Sequence, residues 1–106
     1  MNESLAVTAL SAIAQEGRLA IFRLLVQASD AISAGDLAQR LSMPTSTLSF
    51  HLKTLQQAGL ILAQQEGRHI YYRPNREQFA TLLAYLTENC CGGAGCSVVL
   101  HQEICS

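Results

Sequence analysis

Apolar residues recur along the chain at the spacings of short helices. In the first two predicted helices they occupy most sides of the helix. Residues 4–14 are apolar almost all round, and residues 16–27 form a second, largely apolar segment. A helix that is apolar all round must be buried against other parts of the protein on two sides. In a chain of only 106 residues, of which 49% are hydrophobic, a second subunit can supply part of that burial. The pattern therefore favours a dimer, with burial inside one chain as the alternative.

Two further helices follow, separated by a short interruption. The segment Ser33-Ala34-Gly35-Asp36 fits a capping pattern and opens a short helix that reaches about Leu41. Pro44 then stands in the first turn of a new helix, where proline is tolerated, and Gly59 is placed to end it. The inward side of this second helix is predicted from three leucines at spacings of four and three: Leu48, Leu52 and Leu55.

After residue 59 the apolar period shortens to that of a strand. Two β-prone runs, 60–65 and 69–73, flank the glycine-centred segment Glu66-Gly67-Arg68, which predicts a hairpin. A last amphipathic helix spans about residues 76–89. The order helix, turn, helix, hairpin, helix is that of a winged helix-turn-helix, a mainly α fold with a small β-hairpin, here expected as a homodimer.

The predicted helix that begins near Pro44 is the candidate DNA-reading element. In this fold the second helix of the pair enters the major groove by its N-terminal turns. Those turns carry small hydroxyl side chains, which allow close approach to bases and phosphates, and we expect His51 to point outward with them. A solvated helix start is the alternative for any single Ser or Thr. The predicted DNA-contacting residues are Thr45, Ser46, Thr47, Ser49, Phe50, His51 and Lys53, with Arg68 at the hairpin tip.

Charge is distributed unevenly, although the net charge is only −1. Residues 37–76 contain five basic residues and one acidic residue, a local charge of +4, so the remainder sums to −5. A basic centre is typical of a DNA-facing module, with chance clustering as the alternative. No lysine or arginine precedes the apolar run 5–14, which is too short to span a membrane. We therefore expect a cytoplasmic protein with no membrane segment.

Three segments resemble a known family. Residues 48–61 resemble the recognition-helix signature of the ArsR/SmtB family of metal-sensing repressors, residues 66–73 resemble its wing, and residues 17–25 resemble its second helix. The similarity covers roughly residues 5–88. It implies a homodimer, paired through the first and last helices, on double-stranded operator DNA with an inverted repeat. It also implies that a bound ligand releases the DNA.

Sensing sites differ in location within that family, and two of the known locations lack ligands here. Residues 32–37 contain no cysteine, and residues 78–88 contain no histidine. The tail holds Cys90, Cys91, Cys96 and Cys105, and resembles family members that bind arsenite through C-terminal cysteines. Cysteines in a cytosolic chain are more often metal-binding or redox-active than structural disulfides.

The chemistry of this tail favours a soft, three-coordinate ligand. Arsenite and antimonite take three thiolates in a pyramid, and soft centres prefer sulfur to oxygen or nitrogen. Glycines between the cysteines allow the backbone to fold back on itself. We therefore predict As(III) or Sb(III) as the inducer, with no organic cofactor, bound by Cys90, Cys91 and Cys96. The expected division is a DNA-binding and dimerisation domain, 1–89, and a sensing tail, 90–106.

Other chemistries of the cysteines stay open. The tail could bind zinc, cadmium or lead, with Cys105 as a fourth ligand, or it could act as a redox switch. A small thiol oxidoreductase or arsenate reductase is the rival from another class of protein. Such enzymes activate a thiolate at a helix N-terminus, whereas Cys90 follows the C-terminal end of a predicted helix. The chain also has no C-x-x-C pair, so we expect a regulator and not an enzyme.

Overall fold

The structure, a computed structural model, describes residues 1–88, which form five helices and one three-stranded antiparallel sheet. The order of these elements confirms the predicted winged helix-turn-helix. The last helix ends earlier than expected. The helices are α1 (Glu3–Ile13), α2 (Glu16–Gln27), α3 (Ala34–Leu41), α4 (Thr45–Gln57) and α5 (Arg76–Leu86), and the strands are β1 (Ile32–Ser33), β2 (Ile61–Glu66) and β3 (His69–Pro74).

Helix α1 divides its apolar residues by size. Its buried positions are all alanines, Ala6, Ala9 and Ala12, so its backbone can lie close to its neighbours. The larger side chains Leu5, Val7 and Leu10 remain exposed. Within residues 1–88 no single helix is long and apolar enough to cross a membrane. Helices α1 and α2 reach that length only as a pair, and they meet at 96°.

The core lies between α2, the helix pair α3–α4 and the base of the sheet. The three leucines predicted to face inward on α4 are buried, which confirms the period assigned to that helix. The ring of Phe22 on α2 packs against that of Phe79 on α5, with centroids 5.1 Å apart. The remaining large and fully buried side chains are Ile21, Leu25, Leu37, Leu60, Ile61 and Leu82.

A tight turn joins α3 to α4. Ser42 ends α3 in the left-handed region, at φ 50°, and the amide of Met43 donates to the carbonyl of Ala38 over 3.0 Å. Pro44 takes the N-cap position rather than the first turn, and α4 begins at Thr45. The turn therefore reverses the chain within three residues and fixes where α4 starts.

The sheet contains one strand that the sequence pattern did not predict. Its order is β1-β3-β2, and β1 pairs Ile32 with Tyr72 and Ser33 with Tyr71. The Oγ of Ser33 also accepts a hydrogen bond from the amide of Asp36 over 3.2 Å, which confirms the predicted cap of α3. Ser33 is thus both a strand residue and a helix cap.

Asn75 closes the base of the hairpin. Its backbone amide donates to the carbonyl of Leu60 over 2.8 Å, and its side-chain amide donates to the carbonyl of Gly59 over 3.0 Å. Its Oδ1 accepts from the amide of Gln78 and caps α5. One residue therefore ties the segment between α4 and β2 to the last helix.

Candidate nucleic-acid interface

The outer side of α4 is polar except for one ring. The N-terminal turns carry hydroxyl side chains, and Lys53 follows one turn later on the side opposite the buried leucines. Most of the residues predicted to contact DNA are exposed, as that role requires. The exposed residues among them are Thr45, Ser46, Thr47, Ser49, Phe50, Lys53 and Arg68.

The N-terminus of α4 differs from the other helix starts in residues 1–88. Helices α1, α2, α3 and α5 each have a side chain that accepts from a first-turn amide, but Pro44 supplies none to α4. The first-turn N–H groups of a helix carry a partial positive charge and bind anions such as phosphate. The start of α4 therefore offers backbone donors beside its hydroxyl side chains.

The hairpin of β2 and β3, which corresponds to the predicted wing, projects from the body of the domain. Residues 62–70 are all exposed, and β3 becomes partly buried only from Tyr71 onward. Glu66 pairs with His69, so Gly67 and Arg68 form a two-residue turn, with Gly67 at φ 63°. The turn thereby places a guanidinium group at the tip of the wing.

His51 does not lie on the outer side of α4, so the expectation that it points outward is wrong. Its side chain is only 8% exposed, and its Nδ1 lies 3.4 Å from Nη1 of Arg18 on α2. The sequence held a signal for this placement. His51 stands three residues after Leu48 and four before Leu55, which is the spacing of the inward side.

Arg18 joins three helices through this contact. Its Nε donates to the carbonyl of Ala12 at the end of α1 over 2.6 Å, while its guanidinium faces His51 on α4. Burial, and then the positive charge of Arg18, lower the pKa of His51 below its usual value. A guanidinium can only donate, so this contact favours the neutral ring with Nδ1 as the acceptor. His51 therefore packs between α2 and α4 instead of lying on the outer side of α4.

Gly17 makes room for this ring. A Cβ at position 17 would lie 2.9 Å from Nε2 of His51 and 3.1 Å from its Cδ2. The start of α2 can approach α4 this closely because residue 17 has no side chain. No local pattern predicts a role for Gly17 or Arg18, although both stand in the segment 17–25 that resembles the second helix of a known family.

The predicted thiolate site lies outside the described residues. Cys90, Cys91 and Cys96 all belong to residues 89–106, as does Cys105, and so does the predicted sensing tail. Within residues 1–88 no group of three or more His, Cys, Asp or Glu side chains is arranged to hold a metal ion. The assignment of the inducer site to the cysteines stays a prediction.

Comparisons with known proteins agree with the geometry of the helix pair. The profile of a family described as "Helix-turn-helix domain" matches residues 13–63. The transcriptional activator HlyU of Vibrio cholerae is 32% identical over 80% of this chain and 77% of its own length. Mb0332 of Mycobacterium bovis, a possible ArsR-family regulator solved as a homodimeric winged helix-turn-helix DNA-binding domain, superposes with a TM-score of 0.67. It is 31% identical, over 79% of this chain and 76% of that one.

The chain belongs to the ArsR family of winged-helix transcriptional regulators. This confirms the predicted family and the prediction of a regulator, since its relatives are DNA-binding regulators and not thiol enzymes. Another solved structure, described as a possible transcriptional regulator for arsenical resistance, is similar to this ArsR-family chain with a TM-score of 0.66. It is 31% identical, over 74% of this chain and 79% of that one.

Proposed function

We propose that this ArsR-family regulator is a cytoplasmic homodimeric repressor that binds an inverted-repeat operator and releases it when arsenite or antimonite binds Cys90, Cys91 and Cys96. The observation that carries the DNA-binding part is the start of α4, where exposed hydroxyl side chains surround backbone N–H groups that have no side-chain cap. That surface suits phosphates and base edges at once.

In the proposed complex, α4 lies in the major groove with its first two turns against the bases. Lys53, one turn further along, and Arg68, at the tip of the wing, then contact phosphates on either side of the groove. Contacts of this kind supply much of the affinity and depend on salt. The contact between Arg18 and the buried His51 holds α4 against α2.

The proposed dimer uses α1 and α5. Leu5, Val7 and Leu10 on α1 are exposed, with 51%, 56% and 41% of their surface accessible, and Leu86 at the end of α5 is half exposed. The two helices are in contact, so these side chains belong to neighbouring elements. A two-fold axis through this surface would bury them and place two copies of α4 in successive major grooves, about 34 Å apart.

The proposed inducer site follows directly on α5 in the chain. Three cysteine thiolates match the coordination that trivalent arsenic and antimony take, and ligands bound next to an interface helix can alter the spacing of the two subunits. A coupling free energy of about 1–3 kcal/mol would weaken operator binding about 5- to 150-fold. The similarity to a possible regulator for arsenical resistance supports this choice of inducer.

Fluorescence anisotropy with the reduced full chain and DNA from its own promoter tests the proposal. Arsenite, antimonite, zinc, cadmium and peroxide are added separately. We expect release by arsenite or antimonite, loss of release in Cys90→Ser, Cys91→Ser and Cys96→Ser, and retained release in the control Cys105→Ser. Release by peroxide alone would make the protein a redox switch, and release by zinc or cadmium alone would make it a sensor of those metals. Absence of DNA binding would refute the proposal altogether.

A further inference from the structure

One aromatic ring stands on the outer side of α4 without a structural reason to be there. Phe50 is 64% exposed, the most exposed of the large hydrophobic side chains in residues 1–88. It follows Ser46 by one turn and precedes Lys53 by one turn, so the three lie along one line of the helix. The core and the proposed dimer surface on α1 and α5 do not use it. Its place is the middle of the proposed DNA-reading surface.

The Phe50 ring lies beside another aromatic ring, that of His51. Its centroid lies 5.8 Å from that of His51, with the two planes inclined at 57°. His51 is itself buried against Arg18 and Gly17. A phenylalanine side chain has only two rotatable bonds, so it loses little conformational freedom when it binds. Phe50 therefore presents the remainder of its ring to whatever enters beside α4.

The side chains around Phe50 narrow down what the ring can recognise. Positions 45–50 contain no Arg or Lys to read guanine, no Asn or Gln to read adenine, and no Asp or Glu to read cytosine. The hydroxyl groups of Ser and Thr can form hydrogen bonds with several different bases and so discriminate little between them. In the major groove, the feature that an apolar ring can recognise is the C5 methyl group of thymine.

We infer that Phe50 is a specificity-determining residue that reads thymine methyl groups in each operator half-site. The inference rests on the proposed function, because it requires α4 to lie in the major groove. It adds to the proposed function the base that is selected, thymine, and the group by which it is selected, the C5 methyl group. The operator half-site is accordingly thymine-rich where it faces the second turn of α4.

The test uses the full chain and a duplex chosen by the protein itself. A duplex is selected from a random-sequence library with the wild-type protein, and its thymines are then replaced one by one with deoxyuridine, which lacks only the methyl group. We expect the protein to bind the duplex about fourfold more weakly when a thymine that it contacts is replaced in this way. In Phe50→Ala, the affinities for the thymine and deoxyuridine duplexes should become equal. Phe50→Leu should retain part of the preference.

The matched control is Lys53→Ala, which changes the neighbouring exposed position on the same line of α4. This variant should bind both duplexes more weakly and keep the preference for thymine. An equal thymine preference in wild type and Phe50→Ala would overturn the inference while leaving the proposed function intact. So would normal DNA binding by Phe50→Ala together with an altered sedimentation coefficient, because Phe50 would then be a protein contact. If the wild type selects no duplex, the proposed function fails, and the inference fails with it.

Discussion

Comparing alanine at position 17 with alanine at position 35 tests whether Gly17 is needed for close packing, apart from the effect of alanine on helix propensity. Gly17 and Gly35 are each the second residue of their helix, α2 and α3, and neither has a positive φ. A methyl group on Gly35 would have no atom within 4 Å, whereas a methyl group on Gly17 would lie 2.9 Å from the ring of His51. The two substitutions therefore change helix propensity alike and differ in what the added carbon meets.

The expected magnitudes follow from that difference. Alanine in place of glycine stabilises a helix by about 0.5–1 kcal/mol, less near its end. Inserting a methyl group into a packed site costs about 1–3 kcal/mol. His51 cannot swing away cheaply, because it is buried and held by Arg18. We expect Gly35→Ala to raise the free energy of unfolding and Gly17→Ala to lower it, with the two variants separated by about 1–3 kcal/mol.

Urea denaturation at a single protein concentration measures both variants, since the stability of a dimer depends on concentration. A second pair of proteins, His51→Ala with and without Gly17→Ala, completes the test. In the His51→Ala background, where the ring is gone and the close contact that remains is to Oε1 of Gln15 at 3.1 Å, Gly17→Ala should lower the free energy of unfolding less than it does in the wild-type background. The reasoning is refuted if Gly17→Ala is as stable as Gly35→Ala, or if its effect is the same with and without the ring of His51.

Three further results are expected. The pKa of His51 is lower in the folded chain, so the unfolded chain binds a proton more readily, and the free energy of unfolding should decrease as the pH falls from about 7.5 to about 5.5. Urea denaturation of His51→Gln should show a smaller decrease. An equal decrease would contradict the lowered pKa of His51. Arg68→Ala should weaken DNA binding and reduce the slope of log affinity against log salt by about two, one for each subunit of the dimer, measured by anisotropy; an unchanged slope would remove the wing tip from the interface. Val7→Glu, at an exposed position of α1, should shift the protein to a monomer in sedimentation equilibrium without unfolding it; an intact dimer would exclude α1 from the subunit contact.

The helices and the hairpin were predictable because their signals are local. The spacing of Leu48, Leu52 and Leu55 assigns the inner side of α4, and Ser33 with Asp36 marks the start of α3. Strand β1 was not predictable in this way. It has only two residues, and its pairing partner on β3 lies about forty positions further along the chain.

The outer side of α4 was predicted in the same way, with one error. The polar ring of His51 suits a DNA surface and favours the outer side, whereas its spacing from Leu48 and Leu55 favours the inner side, where the structure has it. What keeps it buried is Arg18, a residue 33 positions away. Neither that hydrogen bond nor the room left by Gly17 follows from any local pattern, because each depends on how α2 crosses α4.

The double role of Ser33 has a consequence for how this protein can be regulated. No linker separates β1 from α3, since the residue that pairs with Tyr71 of the wing strand also caps the first helix of the DNA-binding pair. Asn75 fastens the base of the same hairpin to α5 and to the segment that follows α4. The base of the wing and the DNA-reading helix are thus connected within a subunit. Under the proposed function, we therefore expect an effector that keeps the subunit folded to act by changing the spacing of whole subunits rather than by bending the wing.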